Sequence, residues 1–258
     1  AQLYTAWAAI GIAAAGRNPR TVRVRGGGTP CGFLAAGAPA MSSAGDVERT
    51  ILALAACRLN ARRTGGVDLV ARLRRAQRRD GSFAGQVNLS AFGVLALRAA
   101  GVPRGDAAVR RAAAYVARQQ NRDGGWSFLR RGGQSGSDDT ASAIEGLVAA
   151  GRSRRRGPVA RGVRYLRAHQ SLDGGFALTG RGPSNAQSTA FAVQGLLAAG
   201  VDPSRVSRRG SRSPLGYLGS LTAPDGAVRY SPTSRQTPVW VTAQALAALS
   251  RRPLPVIG

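Results

Sequence analysis

QQNRDGGWSFLRRGGQSGSDDTASAIEGLVAAG, residues Gln119–Gly151, decides the fold. In order it holds a glutamine, an Asp-Gly turn, a tryptophan, two adjacent carboxylates and an alanine-rich apolar stretch of helical length that ends on glycine. Paler copies precede and follow it. Q-x-x-D-G-x-aromatic occurs at Gln77–Phe83, Gln120–Trp126 and Gln170–Phe176, and Asp225-Gly226 keeps the turn of a degraded fourth copy. Asp-Gly supplies the turn, and the glutamine amide can cap neighbouring backbone groups. The aspartates of these turns are read as turn residues and not as catalytic ones.

The apolar stretches align on a hydroxyl residue, at Thr5, Thr50, Ser90, Thr140, Thr189 and Thr242, with spacings of 45, 40, 50, 49 and 53 residues. Gly16, Gly101, Gly151 and Gly200 stop four of them, as a residue that accepts the left-handed conformation does at a helix end, and Pro19, Pro103, Pro158 and Pro203 follow closely. Six residues after each hydroxyl the side chain is always small: Gly11, Ala56, Ala96, Gly146, Gly195 and Ala248. That position lets helix axes come close. Segments apolar nearly all round are buried helices. Between them lie amphipathic, arginine-bearing segments at 67–75, 107–118, 159–169 and 215–221. The repeat is therefore a helical hairpin that cannot bury its own apolar face, and six such units stack and bend into a closed ring. The weakest copy spans 21–43, where a Val-Arg alternation and Gly26–Gly28 read as a loop before a poor outer helix at 31–38.

Arginine and lysine total 37 against 12 acidic residues, a net charge of +25, and every one of these cations is arginine. Such a charge points to an anionic partner or to a codon bias that writes arginine at solvated positions. The second reading is favoured, because the arginines lie in connections and on helix faces without interleaved aromatics, which also disfavours nucleic acid. An anionic membrane surface or polymer stays a candidate partner. Cys31 and Cys57 could pair or could be small buried apolar side chains, and the second is favoured. His169 lies in a helical stretch with neither cysteine nearby, which disfavours zinc. No apolar run reaches the roughly 20 residues that cross a bilayer. The chain opens at Ala1 within a helix pattern; the expectation is that a leader is lost, with a secreted or cell-envelope location, and that the first outer helix is missing or lies upstream.

The Q-x-x-D-G-x-aromatic copies resemble the prenyltransferase and squalene-oxidase repeat, across essentially the whole chain. The resemblance implies an all-α fold, an α/α toroid of six inner and about six outer helices, here one domain over 1–258. Members include squalene–hopene and oxidosqualene cyclases, class II diterpene cyclases and protein prenyltransferase β-subunits; looser relatives bind cobalamin or carry a thioester. A prenyltransferase zinc set of Asp, Cys and His cannot be assembled with His169 on an outer helix, and the thioester motif is absent. The class II cyclase motif D-x-D-D-T-A corresponds to Gly136-Ser137-Asp138-Asp139-Thr140-Ala141. By resemblance Asp138 takes the place of the protonating aspartate and Asp139 that of its partner. Gly136 replaces the leading aspartate, which implies a weaker acid, better suited to an epoxide than to an alkene. Cyclases of this family usually form their cavity between two toroids, and this chain has the length of one.

The implied chemistry needs an aspartic acid that stays protonated near neutral pH, which burial and a neighbouring carboxylate favour. It also needs a dry cavity walled by aromatic faces. Tyr4, Trp7, Phe92, Phe191 and Trp240 lie within a few residues of the inner-helix starts and are the candidate substrate-binding wall. The function implied is protonation-initiated cyclisation of an isoprenoid, with no metal or other cofactor. The alternatives are a non-catalytic toroid that binds an apolar small molecule or an anionic polymer, with Asp138 and Asp139 serving only to cap their helix.

Overall fold

The computed structural model describes residues 2–23, 26–180 and 182–258. Six inner helices carry the aligned hydroxyls: α1 (Gln2–Ala14), α3 (Ala44–Ala56), α5 (Val87–Ala99), α7 (Ser137–Ala149), α9 (Ala186–Ala198) and α11 (Pro238–Leu249). Outside them lie α2 (Pro30–Gly37), α4 (Leu69–Ala76), α6 (Ala107–Arg118), α8 (Gly157–His169) and α10 (Pro214–Ser220). Each inner helix packs on the next, and α11 returns to pack on α1, so the ring is closed. The fold is the α/α toroid. Among the described residues no outer helix covers the seam between α11 and α1. No helix there is long and apolar enough to cross a membrane.

One contact builds the ring. A Cβ added to Gly146 would stand 2.9 Å from the Ala91 carbonyl oxygen, one added to Gly195 would stand 2.8 Å from Ala141 Cα, and one added to Gly11 would stand 2.8 Å from Ala243 Cα. In each case the small residue six places after a hydroxyl meets the residue one place after the hydroxyl of the neighbouring helix. The closing pair of α1 and α11 obeys the same rule as the interior pairs, and this is why the annulus closes in register. Gly195→Ala is therefore expected to destabilise, although alanine is the better helix former by about 1 kcal/mol. Overpacking against backbone costs about 1–3 kcal/mol. Gly219, in α10, has open space around it, and Gly219→Ala is expected to stabilise. Paired thermal melts check the opposite signs.

The Q-x-x-D-G-x-aromatic turns stitch the units together. Gln77, Gln120 and Gln170 each donate from Nε2 to the glycine carbonyl of their own turn and to a carbonyl at the start of the next outer segment, Ala108, Pro158 and Arg212 respectively, at 2.8–3.1 Å. Phe83, Trp126 and Phe176 are fully buried. Their backbone N–H groups donate to Ser90, Thr140 and Thr189 at 2.9–3.0 Å, and Val228 N–H does the same to Thr242. The aligned hydroxyl is thus the receptor for the turn aromatic. Two residues after the aromatic, or after Val228 in its place in the fourth copy, the carbonyls of Phe128, Leu178 and Tyr230 accept from the first N–H groups of α5, α7 and α9. Asp123 Oδ1 accepts from Gly125 N–H at 2.9 Å, and the other turn aspartates repeat the bond, in keeping with their reading as turn residues.

One sequence expectation changes. Cys31 and Cys57 form a disulfide that ties α2 to the end of α3, where burial without pairing was favoured. Both are buried as well, and two buried thiols across one helix contact read identically to a pair until their separation is known. The outer helix expected at 31–38 forms as α2, capped by the Thr29 hydroxyl, which accepts from Gly32 N–H. Ahead of it, Val24 and Arg25 of the Val-Arg alternation lie outside the described residues.

Candidate active site

Residues two places before each hydroxyl form one level at the N-terminal mouth of the ring: Leu3, Glu48, Asn88, Asp138, Gln187 and Trp240. All but Gln187 line a cavity of about 560 Å³, within the range of small-molecule pockets. Two places after the hydroxyls, Trp7, Phe92 and Phe191 form the next level. Phe191 takes Trp7 edge-to-face at 6.2 Å and Phe92 at 6.3 Å, so three aromatics from non-adjacent helices cross the lumen and floor the cavity. Phe128 and Leu178 are exposed and line it at the outer lip. Five residues after its hydroxyl, Glu145 is buried and accepts from Leu254 N–H at 2.9 Å, so the C-terminal tail stops the far end. The centre of the ring is a hollow at one end and plugged at the other.

Asp138 and Asp139 lie in the first turn of α7. The cap position is Gly136, which has no side chain, and Asp138 Oδ1 is sealed from water with no hydrogen-bond partner among the described residues. A carboxylate present only as a cap would be paired, as Asn185 is to Ser188 N–H at the start of α9. Burial pushes the Asp138 carboxyl up to about 7; the Ser188 hydroxyl pulls the other way and the Asp139 charge adds to the rise. Burial also lifts Asp139, to about 6, against the Asn88 amide, which donates to its Oδ1 at 3.4 Å. The pair sits in the wall of an apolar hollow with the acid form of Asp138 accessible near neutral pH.

Gly136, in place of the motif's leading aspartate, is a steric matter. A Cβ there would lie 2.9 Å from the Leu178 carbonyl oxygen and 3.0 Å from Asp139 Oδ2. The segment around Leu178 closes over the start of α7, where Ser137 N–H donates to the Leu178 carbonyl, and leaves room only for glycine.

Of the five aromatics named from sequence, Trp7, Phe92, Phe191 and Trp240 line the cavity. Tyr4 does not; it is exposed, and its ring packs edge-to-face on Trp240 at 6.4 Å. His169 lies on α8, on the outside of the ring, with Nδ1 2.8 Å from the Tyr165 carbonyl and its ring stacked on Tyr165. Sequence reading missed Glu48 and Asn88. The register that picks out Asp138 also picks them out, since all three stand two residues before their hydroxyl.

Among solved structures, ent-copalyl diphosphate synthase from Streptomyces platensis superposes with a TM-score of 0.64 at 21% identity, over 97% of this chain and 50% of that one. The chain thus spans about half of that enzyme. The type II terpene cyclase MstE from Scytonema superposes at 0.66 with 14% identity, over 96% of this chain and 87% of the cyclase. A polysaccharide lyase matches as well in shape, at 0.65 and 12% identity over 96% of this chain and 88% of the lyase, so the toroid alone does not choose a chemistry. No curated protein matches the chain in sequence. The family profile of the squalene–hopene cyclase C-terminal domain matches residues 38–179, more than half of the chain and all of the stretch from the first complete repeat through the acidic pair. With the hydroxyl register, the Gln-turn-aromatic stitches and the Asp-Asp-Thr-Ala helix start in place, the chain belongs to the squalene–hopene cyclase C-terminal domain family.

Proposed function

We propose that the protein is a class II isoprenoid cyclase that starts its reaction by proton transfer from Asp138. The observation that carries this reading is the unpartnered, water-sealed Oδ1 of Asp138 in the wall of an apolar hollow. The acid adds its proton to one carbon of a double bond, or to an epoxide oxygen. With a double bond, its π electrons form the new C–H bond and the other carbon becomes the cation. With an epoxide, an oxygen lone pair takes the proton, a C–O bond breaks with its electrons passing to the oxygen, and the carbon released becomes the cation. A neighbouring double bond closes the ring, and loss of a proton ends the sequence. Asp139 is the coupled partner, and Trp7, Phe92, Phe191 and Trp240 line the largely apolar hollow that would hold the cation. MstE, solved in variant form with geranylgeranyl dihydroxybenzoate as substrate, supports an apolar isoprenoid as the class of molecule taken here. An oxidising, extracytoplasmic compartment belongs to the same reading, supported by the Cys31–Cys57 disulfide.

Incubation with squalene, its epoxide and geranylgeranyl diphosphate in heavy water tests this. The expected result is a cyclic isomer of the substrate, in which the alkene substrates gain one carbon-bound deuterium in exchange for the proton lost at the end. Binding without any product overturns catalysis and leaves the non-catalytic binder, a reading that the loss of the motif's leading aspartate at Gly136 favours. Steeply salt-dependent retention on heparin would instead identify an anionic polymer as the partner.

A further inference from the structure

Glu48 is 1% exposed, and neither of its carboxyl oxygens has a hydrogen-bond partner among the described residues. It lines the same cavity as Asp138. Its place follows from the repeat: it stands two residues before Thr50, as Asp138 stands two before Thr140, so the two acids occupy equivalent positions on α3 and α7 with α5 between them. No cation forms a direct pair with it among the described residues, although the charge of Arg49, which also lines the cavity, acts on it. Arg49, the nearest arginine in sequence, is ion-paired with Asp46 on the same helix. The indole Nε1 of Trp240, at the same level of the mouth, is likewise buried without a partner. A sealed polar group left unpaired is costly, and a site that keeps one expects its partner from the ligand.

We propose that Glu48 is a specificity-determining residue that binds a neutral oxygen, a hydroxyl or carbonyl, carried by the isoprenoid at a point away from the double bond presented to Asp138. A carboxyl in its acid form offers both an O–H donor and an acceptor, which suits either oxygen function. A hydrocarbon in the same cavity would leave the group unpaired. The inference rests on the isoprenoid reading of the cavity, but not on proton transfer.

The test is binding, followed by tryptophan fluorescence in the Asp138→Asn protein, in which Trp7 and Trp240, two of the three tryptophans, line the cavity, with geranylgeraniol and the hydrocarbon of the same chain length. The alcohol is expected to bind about tenfold tighter or better, the usual penalty for an unpaired buried group. Glu48→Leu is expected to erase the preference and to raise the melting temperature, since it removes an unpaired carboxyl from the interior. Glu48→Gln, which keeps a donor and an acceptor, is expected to retain most of the preference. Equal binding of the two probes, binding of neither, or a preference that survives Glu48→Leu overturns the proposal. A strong alcohol preference in a protein with no turnover keeps it and removes the cyclase reading; turnover without the preference does the reverse.

Discussion

Asp138→Asn is expected to lower product formation by about a thousandfold or more, toward the upper end of what a positioned general acid contributes, while substrate binding stays within a few-fold. Asparagine keeps the shape and polarity of the side chain at the cavity wall and loses only the transferable proton. Asp139→Asn has a different signature. The Asp139 charge is one of the causes that hold the Asp138 acid at about 7, after burial. Its removal lowers the proton affinity of Asp138, and the active form is the protonated one. The rate should therefore fall at neutral pH, recover toward acid pH, and show an alkaline limb displaced below that of the wild type. Gly136→Asp, which restores the leading aspartate of the motif, is expected to impair the protein, because the new Cβ meets the Leu178 carbonyl and the Asp139 carboxylate. Quantifying product across pH for the three variants checks the set. An Asp138→Asn protein as active as the wild type removes Asp138 from the chemistry.

Most of the architecture was legible in the sequence because it is periodic, and a period reports contacts between copies. The hydroxyl at Thr140 and the small residue at Gly146 recur because each has one partner that also recurs, the backbone N–H of Trp126 and the backbone of Ala91. The acidic pair at Asp138 and Asp139 was legible for the opposite reason: it interrupts an otherwise repetitive level. What the sequence did not show was direction. Glu48 sits in a run, Val47-Glu48-Arg49, that taken by itself reads as an ordinary solvated helix start; only its register with Thr50 marks it as inward, and the packing of α3 on α5 bears that out. Tyr4 and Trp7 share a helix and a chemistry, but one turn separates the lip from the floor, and Tyr4 faces out. The Cys31–Cys57 pair needed the approach of α2 to α3, in the unit where the repeat is most degraded.

Stability is expected to fall as pH rises from about 4 to about 8, the reverse of ordinary acid denaturation. Burial lifts Asp138 from 3.8 to about 7, Asp139 from 3.8 to about 6 and Glu145 from 4.5 to about 8, and it raises Glu48 well above 4.5. In the unfolded chain these groups release their protons near their ordinary values, whereas the folded ring holds them. Between the two values the unfolded state binds fewer protons, so raising the pH favours unfolding. The stabilisation is complete below the unfolded values and is lost as pH climbs through the folded ones. Each tenfold difference in proton affinity is worth about 1.4 kcal/mol, so the slope is large enough to read in a melting temperature. Asp80 and Asp106, held below their ordinary values by hydrogen bonds and arginines, act in the opposite sense, but they titrate below the window and are largely solvent-screened. Melting temperatures across this range check the slope, and Glu145→Gln isolates one part of it. Glutamine can still accept from Leu254 N–H and does not titrate, so the variant should melt with the wild type at acid pH and above it at alkaline pH. A melting temperature flat or rising through the window would mean that water reaches these carboxyls, and a wet mouth at Asp138 could not hold the acid that proton transfer requires.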